Sequence, residues 1–317
     1  MSSVTHRTLP AREGDAPDVS AVLATRDRPE LLRGALRAIF AQDVDASVEV
    51  IVVFDRSEPD LALLDEFADH RLVLLVNERT PGLAGARNTG TLRSRATWVG
   101  WCDDDDEWLP HRLSSQIARA RGEPDGNFVV GGLLIDQDGD LIPRSHARDR
   151  VTHRELLRSR VAEAHPSTFL FRRDSVLEEV GLLDEELSGS HATDYDILLR
   201  YSALRDVLAV PEPIVRIRMH SASYFGSKWA IKIPALDRMI DKHPGFAEEP
   251  TGLAKIRGQR AFAMAAAGQR GDALRESLGV LRLNWREPRA FMAIAVSLRL
   301  VDPRRLLDAA YRRGRGI

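Results

Sequence analysis

Short apolar runs and stretches of helical periodicity alternate along residues 19–102 of the chain. The first helical stretch carries its apolar side chains at the spacing of one helix face, at Leu31, Leu32, Ala35, Leu36 and Ile39. The β-branched apolar runs predict four strands, at residues 19–25, 48–54, 71–76 and 97–102. Continuous apolar strands separated by helices are typical of a parallel sheet covered on both faces. We therefore predict an α/β fold with a Rossmann-like, mostly parallel central sheet flanked by helices.

The pattern becomes less regular after Pro110. Shorter strands and helices alternate up to about residue 230, around a polar, turn-rich stretch at 136–150. Beyond that point the sequence predicts only helices, and the prolines at 234, 244, 250, 288 and 303 mark the joints between them. The predicted segments are a flexible N-terminus at 1–17, a main domain at 18–230 and a C-terminal helical extension at 231–317.

Length and composition exclude several classes of protein. With 317 residues, 44% of them hydrophobic, the chain is long enough to bury a large core. Its one cysteine, Cys102, excludes an intramolecular disulfide framework and a cysteine-based zinc site. No apolar run approaches the ~20 residues that span a bilayer, and the polar N-terminus has no signal-peptide core. We expect a protein of the reducing cytoplasm.

The net charge of −2 is unevenly distributed along the chain. Residues 252–317 carry 14 Lys and Arg against 5 Asp and Glu, so the rest of the chain is acidic. An acidic body without a basic, aromatic-rich face argues against nucleic-acid binding. The arginine-flanked stretch at 288–313 leaves three interpretations open: packing on the protein, pairing with a second copy, or peripheral contact with the inner face of a membrane.

Four consecutive aspartates, Asp103 to Asp106, end the fourth predicted strand. Alternate residues of an extended segment point the same way, so we predict that Asp103 and Asp105 share one side while Asp104 and Asp106 face elsewhere. Two carboxylates on one side suit Mg²⁺ or Mn²⁺, ions that also bind substrate phosphates. The alternative is a solvated acidic turn, or aspartates that favour a helix N-terminus.

Polar side chains also follow the second and third predicted strands. Asp55 ends the second strand, where a carboxylate can accept hydrogen bonds from a nucleotide or can instead cap a helix. The stretch "GLAGARNTG" at 82–90 does not have the glycine spacing of a dinucleotide fingerprint. Its Arg87 and Asn88 could contact a diphosphate, or could be an ordinary surface arginine and a helix cap.

Two later residues are candidates for chemistry. Asp194 begins the helix predicted at 193–204, where it could be a general base or an acidic residue that favours the helix N-terminus. His220 follows a predicted strand, and it could bind a metal or a phosphate or have a structural role.

The order of these motifs resembles a known family. The stretches are "VSAVLATRDRP", "EVIVVFDRS", "GLAGARNTG", "WVGWCDDDDEW" and "GLLDEEL…TDYDILLR". Together they are similar to inverting glycosyltransferases of family 2, which have the GT-A fold, over residues 18–220. The resemblance implies a nucleoside-diphosphate-sugar donor, most often a UDP-sugar, and Mn²⁺ or Mg²⁺ as cofactor. It also implies a nucleotide-binding half at 18–110 and an acceptor-binding half at 111–230.

The resemblance implies roles for individual residues of this chain. Those implied for the nucleotide and donor sugar are Thr25, Arg28, Asp55, Arg87, Asn88, Asp103 and Asp104. Those implied for the metal are Asp103 and Asp105, the D-x-D pair, with His220 near the diphosphate or the metal. Asp194 matches the aspartate of the family's "ED" motif, which acts as the base. The chain departs from the family at Arg56, where a second Asp is frequent, and at Thr193, where Glu is usual.

The implied reaction is a single displacement that inverts the anomeric centre, with a carbohydrate, a lipid-linked compound or a small molecule as acceptor. Two other functions remain as alternatives. A sugar-phosphate nucleotidyltransferase would need a glycine-rich basic loop after the first strand, and "ATRDRPELL" contains no glycine. A non-catalytic nucleotide- or sugar-binding protein would not need Asp194 as a base.

Overall fold

A computed structural model describes residues 16–123, 125–137, 139–218 and 229–306 of the chain. His220 and most of the predicted flexible N-terminus, 1–17, lie outside these residues. The described residues divide into two compact units. The first unit contains residues 16–152, 161–185 and 200–218, and the second contains residues 153–160, 186–199 and 229–306.

The first unit is built on a single sheet. Its strands, within the described residues, are β1 (Val19–Thr25), β2 (Val48–Phe54), β3 (Arg71–Val76), β4 (Trp98–Asp103), β5 (Asp106–Trp108), β6 (Phe128–Gln137), β7 (Asp140–Arg144), β8 (Arg150–Val151), β9 (Leu170–Arg172) and β10 (Val207–Arg218). Residues of β1 are almost wholly buried, as its continuous apolar run predicts.

The sheet has a parallel part and a mixed part. In the order β3-β2-β1-β4 every neighbouring pair is parallel. The order continues as β9-β6-β10-β5, where β9 and β5 run antiparallel to their neighbours while β10 is parallel to β6. The predicted parallel sheet is therefore confirmed for β1 to β4. Among the later strands, β6 and β7 are joined by a short turn and pair antiparallel. β9 and β5 instead pair antiparallel with strands far away along the chain, so packing between distant segments sets their direction.

Helices of the first unit cover the sheet. They are α1 (Pro29–Phe40), α2 (Ala62–Glu66), α3 (Leu83–Arg93), α4 (Arg112–Arg121) and α6 (Arg173–Glu179). The face predicted for α1 is buried at Leu32, Leu36 and Ile39. Gly90 brings α3 very close to β1, since a Cβ atom there would lie 2.3 Å from Cγ1 of Val22. The 3₁₀ turn Pro166–Thr168 lies beside β4.

The second unit is helical. Its helices are α5 (His153–Arg158), the first residues of α7 (Thr193–Ser202), α8 (Trp229–Lys242), α9 (Pro250–Ala266), α10 (Arg270–Leu283) and α11 (Pro288–Ser297). Pro250 and Pro288 each begin a helix, a position where the missing N–H costs nothing. The prediction that Pro234 marks a joint was wrong, since Pro234 lies inside α8. The core of α8 to α11 includes Trp229, Phe262 and Ala293. None of the helices in the described residues combines the length and the apolar character needed to cross a membrane.

Candidate functional site

The carboxyl ends of β1, β2 and β4 lie at one edge of the sheet. Asp55, which follows β2, donates its backbone N–H to the carbonyl of Thr25 at the end of β1, at 2.9 Å. On the other side of β1, Asp103 is in register with Ala24. Because the strand order reverses at β1, the crevice outside these ends is the place where doubly wound folds bind ligands. Asp55 and Asp103 thus lie at the carboxyl ends of strands, where the sequence predicted them.

Asp55 orders the loop that leads from β3 to α3. Its Oδ1 accepts hydrogen bonds from Nδ2 of Asn77 at 2.7 Å and from the backbone N–H of Gly82 at 3.0 Å. Within the described part of the chain, Oδ2 accepts no hydrogen bond. A carboxylate held rigidly through one oxygen can present the other oxygen to a ligand. Asn77 was not predicted from the sequence, although it follows the third strand as Asp55 follows the second.

The loops after β1 and β2 both contain a residue in the left-handed backbone region. Asp27 has a φ of 53° and Arg56 a φ of 58°. Residues other than glycine are rare there, and each costs about 1–2 kcal/mol. Strain of this kind is concentrated at ligand-binding loops. Both residues lie at the edge of the sheet that carries Thr25 and Asp55.

The four aspartates do not form an extended segment. β4 ends at Asp103, the chain turns at Asp104 and Asp105, and β5 begins at Asp106. β5 leaves the direction of β4 because it pairs antiparallel with β10, with Asp106 opposite Ile217. The prediction that Asp103 and Asp105 share one side was therefore wrong. The turn groups Asp103 with Asp106, and Asp104 with Asp105.

Asp103 and Asp106 meet His165, a residue that the sequence analysis missed. One ligand atom from each of the three lies within 4.8 Å of the other two. Ser167 connects them, since its Oγ donates to Asp106 at 2.5 Å and accepts from the backbone N–H of Asp103 at 3.0 Å. Carboxylate oxygens suit Mn²⁺ or Mg²⁺ carrying substrate oxygens, whereas an imidazole nitrogen suits transition metals, so the mixed set favours Mn²⁺ over Mg²⁺. The donor set therefore fits a divalent metal.

The charge around this cluster favours a cation. Burial raises the pKa of Asp106 well above its ordinary value, and the nearby charge of Asp103 raises it further. Asp103 also pairs with the guanidinium of Arg87, which is buried and lies over the ring of Trp101 at 5.3 Å. Two crowded carboxylates in a buried place are costly unless a positive charge compensates them.

Asp104 and Asp105 face the loop after β1. Asp104 accepts hydrogen bonds from Oγ1 of Thr25 at 2.7 Å and from Arg28 at 3.1 Å. Burial nevertheless raises the pKa of Asp104 to about 6. Arg28 also reaches Asp105 at 3.1 Å. Thr25, Arg28, Asp104 and Asp105 thus form one network, and the metal role of Asp105 stays a prediction from the resemblance.

Asn88 holds a neighbouring segment of the first unit. Its Nδ2 donates to the carbonyl of Leu183 at 3.0 Å and to Glu185 at 2.7 Å, and its Oδ1 accepts from the N–H of Leu183 at 2.9 Å. Only 1% of Asn88 is exposed. Both polar atoms of the Asn88 amide therefore bond to residues 183 and 185. The sequence does not predict these bonds, because the two segments lie far apart along the chain.

Glu185 receives hydrogen bonds from Asn88, Arg79 and Thr80. Burial opposes its charge, but these donors outweigh burial and lower the pKa of Glu185 to about 2. A carboxyl group with a lowered folded-state pKa stabilises the fold above its unfolded pKa, and this contribution is lost as pH falls from about 4.5 toward about 2.

We expect Glu185→Gln to lower the free energy of unfolding at pH 7 by about 1–2 kcal/mol, because it removes the charge that the hydrogen-bond donors stabilise. The loss is no larger because the ion pair with Arg79 is partly exposed and screened by solvent. Chemical denaturation of both proteins between pH 7 and pH 2.5 should show the difference shrinking with acidity. Glu186→Gln is the matched control, since that side chain is 76% exposed. A difference that stays constant with pH would contradict this role.

Asp194 lies in the second unit, at the start of α7, and is 7% exposed. Its carboxylate accepts a hydrogen bond from the guanidinium of Arg160. The neighbouring Asp196 is fully buried and binds Lys242 at 2.9 Å and His243 at 2.9 Å. Asp196 is therefore a structural anchor, whereas Asp194 is not fully buried and its partner Arg160 has a side chain that is 49% exposed. Its role as the base stays a prediction.

The sequence matches the family model described as glycosyl transferase family 2 over residues 20–180. The chain belongs to this family, which confirms the predicted family and enzyme class. Among curated proteins, the chain is 26% identical over 142 residues to the Escherichia coli UDP-Glc:alpha-D-GlcNAc-diphosphoundecaprenol beta-1,3-glucosyltransferase WfgD. It is 36% identical over 105 residues to the succinoglycan biosynthesis protein ExoO of Rhizobium meliloti.

These alignments are partial. The match to WfgD covers 44% of this chain and 55% of WfgD, and the match to ExoO covers 33% and 30%. The chain therefore spans about half or less of these two relatives.

Solved structures share the fold over nearly the whole chain. Staphylococcus aureus TarS 1–349 in complex with UDP-GlcNAc has a TM-score of 0.61 at 15% identity, covering 94% of this chain and 92% of that one. The mannosyltransferase PcManGT of Pyrobaculum calidifontis, in complex with GDP-Man and Mn²⁺, has a TM-score of 0.53 at 18% identity, covering 96% and 86%. The predicted GT-A-type fold with C-terminal helices is confirmed.

Proposed function

We propose that this protein transfers a sugar from a UDP-sugar to an acceptor hydroxyl, with a divalent metal and with inversion at the anomeric carbon. The observation that carries the proposal is the grouping at the ends of β1, β2 and β4. There Asp55, the Thr25–Asp104 network and the Asp103–Asp106–His165 cluster occupy one edge of a sheet, in a chain of glycosyl transferase family 2.

The nucleotide is the best supported part of the donor. Asp55 has an oxygen available for a base or ribose, and the left-handed residue Arg56 follows it. Two relatives support a nucleotide sugar, since WfgD is named for UDP-Glc and TarS was solved with UDP-GlcNAc. PcManGT was solved with GDP-Man, so guanine is the base to test against uracil.

The metal would be held by Asp103, Asp106 and His165, with Asp105 as the ligand that the resemblance adds. When bound, a divalent ion stabilises the negative charge that develops on the departing diphosphate. The chain's own cations contribute in the same way. Arg87 and Arg28 lie against the aspartates at the strand ends, where fixed positive charge favours a developing anion.

Asp194 is the proposed base. It would remove the proton of the acceptor hydroxyl while the oxygen attacks the anomeric carbon from the face opposite the diphosphate. One displacement of this kind inverts the anomeric centre. The acceptor would be a carbohydrate, a lipid-linked compound or a small molecule, and the name of WfgD supports a lipid-linked diphosphate. We propose that residues 18–110 bind the nucleotide and that residues 111–230 contribute to binding the acceptor.

Calorimetric titration of UDP with and without Mn²⁺ tests this function. We expect binding in the presence of Mn²⁺ and at least tenfold weaker binding in EDTA, because the metal neutralises two crowded carboxylates and the diphosphate together. GDP, titrated under the same two conditions, is the comparison for the choice between uracil and guanine. If neither nucleotide binds in a metal-dependent way, the proposal fails, whereas metal-dependent binding without transfer would favour a non-catalytic binding protein.

The outer face of α11 supports peripheral contact with an anionic membrane. This face consists of Phe291, Ile294 and Ala295, continued by Leu298 directly after the helix, and Phe291 and Leu298 are 53% and 55% exposed. The opposite face of α11 is buried in the second unit, so this helix is apolar on both sides. Trp285 is 68% exposed and carries the guanidinium of Arg286 over its ring. Arginine and tryptophan beside an apolar face are typical of helices at a lipid surface.

We expect Leu298→Glu to reduce sedimentation with phosphatidylglycerol-containing vesicles by about tenfold, because a leucine no longer enters the lipid. Leu204→Glu is the matched control, since Leu204 is also 55% exposed but lies in the first unit. Vesicles of phosphatidylcholine alone should bind weakly. If Leu298→Glu instead abolishes dimerisation without changing vesicle binding, this face pairs with a second copy.

A further inference from the structure

The second unit contains a cavity of about 90 Å³ that has no part in the proposed donor site. Its walls come from α7, α8, α9 and the chain around residue 160, and they include Arg160, His191, Tyr195, Trp229, Lys232 and Phe262. A cavity of this volume holds several water molecules, and therefore a single phosphate group. Its lining combines two cationic side chains with aromatic walls.

Lys232 is a partly buried cation beside this cavity. Its Nζ lies 4.6 Å from the centre of the Trp229 ring, and burial lowers the pKa of Lys232. Within the described part of the chain, no carboxylate forms an ion pair with it. A buried charge without a carboxylate partner is costly, and an anion from solution would compensate it.

Arg160 contributes a second cation. Its guanidinium has five N–H donors, and the structure uses it to bind Asp194, so further donors remain for another acceptor. The planar guanidinium matches the geometry of phosphate oxygens, which makes arginine a common phosphate ligand. Arg160 thus connects the cavity with the aspartate that we propose as the base.

His191 lines the same cavity, and its pKa depends on the charges around it. Burial, followed by the charges of Lys232 and Arg160, lowers the pKa of His191 to about 4, against the opposing charge of Asp194. At neutral pH His191 is therefore uncharged and can donate or accept a hydrogen bond. The charges of Lys232 and Arg160 both act on His191, so positive charge is concentrated at this place.

We infer that this cavity binds a phosphate group, through Arg160 and Lys232, and that the phosphate belongs to the acceptor. The assignment of the phosphate to the acceptor rests on the proposed function, because Arg160 lines the cavity and also binds Asp194, the proposed base. The acceptor class is a phosphate or diphosphate ester whose free hydroxyl receives the sugar. Apolar walls such as Leu236 and Phe262 fit an ester group better than a free, fully hydrated ion.

Titration of the full chain with inorganic phosphate and with farnesyl phosphate, both in EDTA, tests the site without the metal-dependent donor. We expect Lys232→Met to weaken binding by about tenfold, since methionine keeps the aliphatic length over Trp229 and removes the charge. Arg160→Gln is the second variant. Lys255→Met is the matched control, because Lys255 is a lysine of the same unit whose pKa is also lowered by burial.

The outcomes separate this inference from the proposed function. If neither probe binds, or if Lys232→Met and Lys255→Met have equal effects, the cavity is not a phosphate site. If UDP fails to bind with Mn²⁺ while Lys232→Met still weakens the phosphate probes, the proposed function fails and the cavity site stands. Tighter binding of farnesyl phosphate that depends on Lys232 indicates a lipid acceptor, and equal binding of the two probes indicates a phosphorylated small molecule. Circular dichroism establishes that each variant is folded.

Discussion

Asp194→Asn is expected to lower the rate of sugar transfer by roughly 10²–10⁴-fold, the range that a positioned general base contributes. Asparagine has almost the same shape and can still accept the hydrogen bond from Arg160, so the surroundings of residue 194 should persist. It cannot remove a proton from the acceptor. Binding of UDP with Mn²⁺ should be unchanged, because Asp194 belongs to no part of the nucleotide network at β1, β2 and β4.

The measurement is the release of UDP in the presence of acceptor, together with calorimetric binding of UDP to the variant. Asp196→Asn is the comparison on the same helix. Asp196 is fully buried between Lys242 and His243, so its replacement should lower thermal stability instead of acting on catalysis alone. Transfer by Asp194→Asn at a rate within threefold of the original protein would remove Asp194 from the mechanism.

Asp103→Asn is expected to abolish the Mn²⁺ dependence of UDP binding and to lower transfer by roughly a hundredfold or more. Replacing a residue that only supports a metal ligand already lowers metal affinity or activity roughly 10–100-fold. Asp103 should have at least this effect, because it belongs to the metal pair implied by the resemblance and also to the cluster with Asp106 and His165. Binding of UDP in EDTA should change little. Titration of the variant with UDP and increasing Mn²⁺ measures the effect.

Asp105→Asn and Asp106→Asn separate two hypotheses about the metal. The resemblance implies Asp105 as a ligand, whereas the fold groups Asp106 with Asp103 and His165. The variant that loses Mn²⁺ dependence identifies the second carboxylate ligand. An unchanged metal dependence in Asp103→Asn, with circular dichroism showing a folded protein, would exclude this cluster as the metal site.

Much of the first unit is determined by local sequence. Apolar runs such as 48–54 can be buried on both faces only as inner strands, and the helical spacing around Leu36 matches one buried face. Because the ends of parallel strands share one edge of the sheet, the sequence also determined that Asp55 and Asp103 lie near each other. The family followed from the order of short motifs, each of which is weak alone.

Tertiary structure alone decided which side chains complete the site. The turn at Asp104 and Asp105 depends on β5 pairing with β10, a strand about a hundred residues later, and no local pattern encodes that pairing. His165 enters the cluster from a segment without periodicity, and Asn88 bonds to Leu183, which is 95 residues away along the chain. Local sequence encodes which surfaces are buried, whereas the partners of a polar side chain are set by packing between distant segments.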